Sequence, residues 1–284
     1  MDSIILGFIQ GVTEFLPISS SGHLVVIEHF LGLDFEKHKA FDVAVHLGTL
    51  TSILIYFRKD IWNLIKAFFK LFIGKITEEY SKLILFIIIG TVPAVITAVY
   101  FEKQIDVVFR DPFMVAMAML IVGIIFIIGE MIGFQTEKTG LKWWKAIIIG
   151  IAQAIALIPG VSRSGLTIVA GLFSGLEREK AARFSFLLGA PAMFGAGIWT
   201  YVNYNPGILT DAPFDLWIFI IGFAMSALTG LAAVSFLMYF LKKHTLLGFA
   251  FYLLLAAFLI IFLMSLPYIM WLFENPADLE KLNW

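Results

Sequence analysis

Six apolar runs set what this chain can become: about Phe41–Phe57, Leu83–Phe101, Phe113–Ile132, Phe184–Tyr201, Leu216–Leu241 and Leu247–Leu272. Runs near the ~20 residues that cross a bilayer constrain a fold more than any motif does. Lipid offers backbone N–H and C=O groups no partner, so each run has to be a helix that satisfies its own hydrogen bonds. Two further apolar stretches, about Ile4–Phe30 and Trp143–Phe173, are broken by Pro, Gly and Ser and read as re-entrant hairpins. The fold class that follows is an all-α polytopic membrane protein with about six transmembrane helices and two re-entrant helical hairpins. Composition agrees, with 60% of the 284 residues hydrophobic against roughly 45–50% in soluble domains. A formal net charge of −1 provides no basic field for nucleic acid. The lack of Cys removes disulfides, thiolate metal sites and Cys nucleophiles. The first apolar run lacks a basic lead and carries Glu14 and His23, unlike a cleaved signal peptide. In Ile61–Ile73, Lys66 and Lys70 lie one turn apart among Trp62, Leu64, Phe68 and Phe72, which predicts an amphipathic helix on the membrane surface or a short extension of a span.

The broken stretches resemble each other. A shift of 143 positions matches Gly7 with Gly150, Gln10 with Gln153, Ser19 with Ser162, Ser21 with Ser164 and Gly22 with Gly165, and continues through Phe41 with Phe184. One register held without gaps marks an internal repeat. Residues 1–142 and 143–284 then form two copies within one membrane domain, each a re-entrant hairpin plus three spans. Three spans between the hairpins turn the second copy upside down, giving an inverted-topology repeat. On one side of the predicted spans lie fourteen Lys and Arg residues, among them Arg58, Lys75, Lys138, Arg178 and Lys243; the other side has Lys37, Lys39, Lys103, Arg110 and Lys281. The positive-inside rule places the richer side in the cytoplasm and both termini outside. The first hairpin then dips in from the outer face of the cytoplasmic membrane.

Each hairpin carries polar chemistry. The first contains Gln10, Glu14, Pro17, Ser19, Ser20, Ser21, Gly22 and His23; the second contains Pro159, Gly160, Ser162, Arg163, Ser164, Gly165 and Thr167. Ionisable groups in hydrocarbon are expensive and have partners, so Glu14 and Arg163 are predicted to meet. That pair is either a structural lock or part of a functional site. A guanidinium among Gly and Ser at a helix start suits an anion such as phosphate, and Thr167 can offer its hydroxyl to the same anion. Ser19, Ser20 and Ser21 beside His23 supply the minimum for a nucleophile with a general base, or His23 itself attacks phosphorus. At least one of the serines, Ser19 or Ser21, is expected simply to bond a backbone carbonyl. Glu14 can accept a proton or, with Gln10 one turn earlier, offer oxygens to a hard divalent cation. His46 is expected to be a packed histidine. His29, His38 and His244 are expected at membrane edges, and Glu28 and Glu130 are expected to reach headgroups or water.

The two motifs together, Gln10-xxx-Glu14 with Pro17-Ile18-Ser19-Ser20-Ser21-Gly22-His23 and Pro159-Gly160-x-Ser162-Arg163-Ser164-x-x-Thr167, resemble the undecaprenyl-diphosphate phosphatase family of bacitracin-resistance proteins. The likeness covers nearly the whole chain. It implies a membrane enzyme that removes the terminal phosphate of a C55 polyprenyl diphosphate on the outer face. The product would be the monophosphate carrier for envelope glycan synthesis. It also implies Glu14 at the metal or base position, Ser20 and His23 as nucleophile and base, and Ser162, Arg163 and Thr167 around the diphosphate. Mg²⁺ or Ca²⁺ is the implied cofactor. The first position of the acidic motif is Glu or Gln in the family and Gln10 here, which leaves Glu14 as the one acid. The implied partners are the polyprenyl diphosphate and membrane lipids. Small residues from Gly189 to Gly197 offer a candidate homodimer face. The rival reading is a transporter or flippase for an anionic lipid or another anion, because inverted repeats with broken helices also build carriers. A carrier needs Arg163 but has no use for a nucleophile.

Overall fold

The computed structural model describes residues 2–32, 35–71, 79–135, 139–203 and 216–274. Phe72, Ile73, Lys75, Lys138 and Lys281 lie outside them, as do the side chains of Lys37, His38 and Lys39. The described residues form helices throughout: α1 (Asp2–Phe15), α2 (Ser20–Leu31), α3 (Phe35–Tyr56), α4 (Arg58–Leu71), α5 (Glu79–Phe109), α6 (Pro112–Gln135), α7 (Trp143–Ile155), α8 (Arg163–Phe173), α9 (Arg178–Asn203), α10 (Leu216–Phe240) and α11 (Leu247–Glu274).

Five of these, α5, α6, α9, α10 and α11, are long and apolar enough to cross a membrane. The sixth expected span, α3, has 22 residues, but its apolar part is the shorter Phe41–Tyr56. Its first two turns carry Glu36, Lys37, His38 and Lys39. The broken stretches are hairpins as the Pro and Gly positions predict. At 1.5 Å per residue their arms of 14, 12, 13 and 11 residues reach only about 16–21 Å, against a hydrocarbon core of about 30 Å. Helix α4 exposes Trp62, Ile65, Phe68 and Phe69, and Lys66 Nζ sits 5.3 Å from the centre of the Trp62 ring. An apolar helix face with cations beside it is what an interfacial helix presents.

Helix α1 packs against α10, and α7 packs against α5. Both contacts are built from facing glycines. A Cβ on Gly7 would lie 2.6 Å from the carbonyl oxygen of Gly222, and one on Gly150 would lie 2.4 Å from that of Gly90. Small residues let backbones approach this closely, which is how helices associate without a hydrophobic driving force. Along α3 and α10, Gly48, Ser52, Ser226 and Gly230 do the same, and Ser52 Oγ donates to the carbonyl of Ala227 at 2.7 Å.

Ion pairs join the helix ends on one face. Arg178 at the start of α9 makes a bidentate bond to Glu130 in α6, and the same carboxylate accepts from Leu246 N before α11 at 2.7 Å. Arg183 pairs with Asp60, which also accepts from Tyr80 at 3.0 Å. Glu130 is therefore a buried clasp among three elements and does not reach headgroups or water. The reason is Arg178 on the neighbouring helix, a partner that sequence spacing does not reveal.

Candidate active site

The two hairpin tips meet. In the first, α1 ends at Phe15, Pro17 prevents the helix from running on, and Ser19 takes up φ 70°, the one positive φ at a non-glycine residue among the described residues. Ser19 Oγ caps α2 by accepting from Gly22 N at 3.2 Å. In the second, α7 ends at Ile155, Gly160 turns the chain with φ 92°, and Ser162 Oγ caps α8 by accepting from Gly165 N at 3.2 Å. Matched serines thus cap matched helices. The tips touch where a Cβ on Gly165 would stand 2.9 Å from Pro17 Cβ and 2.0 Å from Phe126. Ser164 Oγ reaches the carbonyl of Leu16 at 3.4 Å.

Ser20 and Arg163 are the first residues of the two caps' helices, and both side chains converge on Glu14. Arg163 Nη2 donates to Glu14 Oε1, while Glu14 Oε2 accepts from Ser20 Oγ at 2.6 Å and from Gln10 Nε2 at 3.0 Å. Arg163 Nη2 also lies 3.3 Å from Met193 Sδ. Glu14 is only 7% exposed, so the pair is deeply desolvated and survives through these hydrogen bonds. The guanidinium rests on Gly189, where a Cβ would come within 1.6 Å of Nη1. Gly189 is therefore occupied inside the protein and does not belong to a free dimer face.

Glu14, Ser20, Ser21, Ser162 and Arg163 line a cavity of about 320 Å³ that reaches out to Glu102, Arg110 and Thr200. Its walls include residues that the sequence assigned elsewhere. His46 is half-exposed there, with Nε2 3.9 Å from Glu14 Oε2 and Nδ1 2.7 Å from the carbonyl of Asp42. It is a wall residue beside the carboxylate, not merely packed. Glu28 is 4% exposed and also lines the cavity, so it faces inward and not toward headgroups. Gln153, the repeat partner of Gln10, is a further wall residue that composition and motif had left without a role. His29 is exposed in the last turn of α2, and His244 stacks on Phe240 with ring centres 4.5 Å apart.

Three of the expected site residues are engaged elsewhere in the protein. His23 does not meet Ser20: its Nδ1 lies 2.7 Å from the Ser19 carbonyl and its Nε2 2.6 Å from the Tyr252 hydroxyl on α11. Three residues along a helix put Ser20 and His23 on neighbouring but separate directions, and Glu14 occupies the Ser20 side. Thr167 is fully buried and bonds the Arg163 carbonyl at 2.7 Å and Ser185 Oγ at 2.5 Å. Its hydroxyl faces protein because i−4 back-bonding is available within α8. Ser164 is likewise buried, between Leu16 and Ser162. Ser19 is a cap, and Ser21 stands in the cavity wall.

Fold and site together define a polytopic helical membrane protein with one carboxylate–guanidinium pair and an attached serine at the meeting point of two broken hairpins. The chain belongs to the family described as bacitracin resistance protein BacA, whose model matches residues 3–259. It is 44% identical over 251 residues to the undecaprenyl-diphosphatase of Thermodesulfovibrio yellowstonii, covering 88% of this chain and 91% of that one. It is 40% identical over 259 residues to the undecaprenyl-diphosphatase of Rubrobacter xylanophilus (89% and 93% covered), and 39% identical over 265 residues to undecaprenyl-diphosphatase 1 of Pseudoalteromonas translucida (93% and 98%).

Proposed function

We propose that the chain is a membrane phosphatase that hydrolyses undecaprenyl diphosphate to the monophosphate and inorganic phosphate. Such an activity recycles the lipid carrier for cell-envelope glycan synthesis and confers bacitracin resistance. The observation that carries the reading is the Ser20 hydroxyl held 2.6 Å from Glu14 Oε2 while Arg163 holds the other oxygen. That distance is within the range for proton transfer to a general base.

Ser20 Oγ attacks the terminal phosphorus and its proton passes to Glu14. The bond from that phosphorus to the bridging oxygen breaks, and the polyprenyl monophosphate leaves. Water then attacks the phosphoserine; the P–Oγ bond breaks, Glu14 returns its proton to Ser20 Oγ, and the inorganic phosphate leaves with the water's oxygen and protons, so Glu14 is a carboxylate again. Arg163 and the N–H groups at the starts of α2 and α8 face the charge that develops on the transferred phosphoryl group. His23 works through Ser19 in this scheme: it anchors the carbonyl of the residue whose unusual φ aims Ser20. Thr167 and Ser164 hold the second hairpin in shape.

A hard divalent cation takes oxygen ligands. The donor set is compatible with one, because Gln10 Oε1 is a buried oxygen without a partner beside Glu14. Among the described residues no three His, Asp or Glu side chains gather as a metal group. Glu14 and Gln10 would therefore hold Mg²⁺ or Ca²⁺ together with diphosphate oxygens, and the cation would neutralise phosphate charge.

The repeat reading is supported by the exchange of partners, since α1 meets α10 as α7 meets α5, and by Ser19 and Ser162 capping alike. Opening toward the outer face is supported by the cavity rim. Glu102 and Arg110 lie at the end of α5 and Thr200 at the end of α9, whereas Lys82, Arg178 and Arg183 lie at the beginnings of those helices. Positive-inside logic puts those beginnings in the cytoplasm. A substrate released on the outer leaflet then keeps its isoprenoid tail in lipid while its headgroup enters.

The test is phosphate release from a C55 diphosphate by the purified protein in detergent, with and without chelator, for wild type, Ser20→Ala, Glu14→Gln and Arg163→Ala. Loss of release is expected in all three variants, with melting temperature recorded for each because Arg163→Ala leaves Glu14 buried without its countercharge. An inactive wild type that still binds the lipid through Arg163 would instead make the chain a carrier.

A further inference from the structure

Among the buried polar side chains that the reaction scheme leaves unused, one has no partner at either end of its amide. Gln153 is 2% exposed, sits on α7 and lines the cavity that holds Glu14, Ser20 and Arg163. Neither Nε2 nor Oε1 has a hydrogen-bond partner; no other buried amide among the described residues is left without any. An apolar side chain at this position would strand neither a donor nor an acceptor. Buried polar groups are nearly always paired, and exceptions call for a ligand, water or catalytic role.

The repeat explains how the amide became available. In the first copy Gln10 is captured by Glu14, four residues on and one helical turn away. In the second copy the residue four after Gln153 is Leu157, which offers nothing to bond. The same frame thus yields one glutamine tied to the catalytic acid and one untied glutamine in the opposite hairpin. Arg163 adds a second unused donor, since its Nη1 is buried without a partner.

We propose that Gln153 is a substrate-binding residue that donates its amide N–H to the proximal phosphoryl group, the one that departs with the polyprenol. This rests on the phosphatase reading. Ser20 approaches the terminal phosphorus from the first hairpin, and in-line displacement puts the bridging oxygen and leaving phosphate on the far side of that phosphorus. The second hairpin supplies that side through Gln153 on α7, while Arg163, beside Ser20 on Glu14, faces the terminal phosphoryl group. The terminal torsion of a glutamine is soft, so the amide plane can turn to present the N–H to the cavity that Gln153 lines. The Oε1 atom then faces a water or a cation carried by the diphosphate. No bond is made or broken at Gln153; it orients the leaving group and recognises that a second phosphate is present.

The experiment compares wild type, Gln153→Leu and Gln153→Glu in phosphate release from farnesyl diphosphate, with farnesyl monophosphate as a product inhibitor and melting temperature recorded for each. Removing one hydrogen bond to a charged group is expected to raise KM about tenfold and to weaken monophosphate inhibition by a similar factor, with a smaller loss in kcat. The Glu variant, which places a carboxylate against the phosphate, is expected to lose binding further. Gln153→Leu is expected to melt at or above the wild-type temperature, because an unpaired buried amide has been removed. Should the Leu variant fail to fold, Gln153→Met gives the same reading. Unchanged KM and unchanged monophosphate inhibition in a folded variant of an active enzyme would overturn the proposal. An inactive wild type would overturn the phosphatase reading itself.

Discussion

Replacing Gly189 by alanine tests the site through a residue that touches no substrate. An added Cβ would stand 1.6 Å from Arg163 Nη1 and 2.8 Å from its Cζ. Non-bonded heavy atoms settle at about 3.5–4.0 Å, so the guanidinium has to retreat by about 2 Å. The arginine side chain can swing without moving a helix, and Glu14 keeps Ser20 and Gln10 as donors. Stability falls because the desolvated carboxylate loses its countercharge, and in the protein that stays folded the anion-binding group is misplaced. A displacement of about 1 Å near a reacting centre can cost 10²-fold. Gly189→Ala is expected to lower kcat/KM by at least about 100-fold, equivalent to roughly 2.7 kcal/mol of transition-state stabilisation. Gly195→Ala, on the same helix with nothing within 4 Å of its Cβ, is the control and should behave as wild type. A double mutant completes the argument. If Gly189 acts through the guanidinium, Gly189→Ala adds nothing to Arg163→Ala. Full activity of Gly189→Ala, or an additive loss in the double mutant, would refute the reasoning.

Two further outcomes follow from the surroundings of His23 and Thr167, whose partners in the structure are Tyr252 and Ser185. Tyr252→Phe removes the hydroxyl 2.6 Å from His23 Nε2 and is expected to lower kcat about threefold to tenfold with KM unchanged, because the loss acts through His23 and Ser19 on the aim of Ser20; a change confined to KM would count against that path. Thr167→Val keeps the branched shape but strands Ser185 Oγ, now 2.5 Å away. It should lower stability by about 1–3 kcal/mol while KM for the diphosphate stays at the wild-type value, and a large rise in KM would return Thr167 to the substrate.

What the sequence made legible was whatever depends on local order along the chain. Proline and glycine positions marked where α1 and α7 stop; the capping of α2 and α8 by Ser19 and Ser162 is seen only in the structure, where each hydroxyl accepts a backbone N–H. The energetic cost of charges in lipid was enough to join Glu14 with Arg163 across 149 positions. What stayed hidden depends on which faces turn toward each other. His46 reads as an ordinary span histidine until α3 is placed beside the first hairpin, and Glu130 reads as a surface acid until Arg178 arrives from α9. The direction of His23 was ambiguous because a helix presents i and i+3 side by side, and only the positions of Glu14 and Tyr252 separate them.

The asymmetry between the two copies is where binding and chemistry divide. Ser20 and Arg163 hold the same place in the repeat, each the first residue after a serine cap, and both bond the same carboxylate. A pair of helix starts aimed at one point is already an anion site before any side chain is added, because each contributes N–H groups and the positive end of a dipole. Three departures from the repeat convert it. At the helix start, one copy has a hydroxyl that can attack and the other a cation that can hold charge. Four residues after the matched glutamines, one copy has Glu14 to take a proton and the other has Leu157. The third departure follows from the second: Gln10 is engaged by the acid, and Gln153 is not. An anion held between the hairpins therefore meets a nucleophile and base on one side and only donors on the other. Under the proposed mechanism the terminal phosphate is the one attacked and the lipid monophosphate the one that leaves.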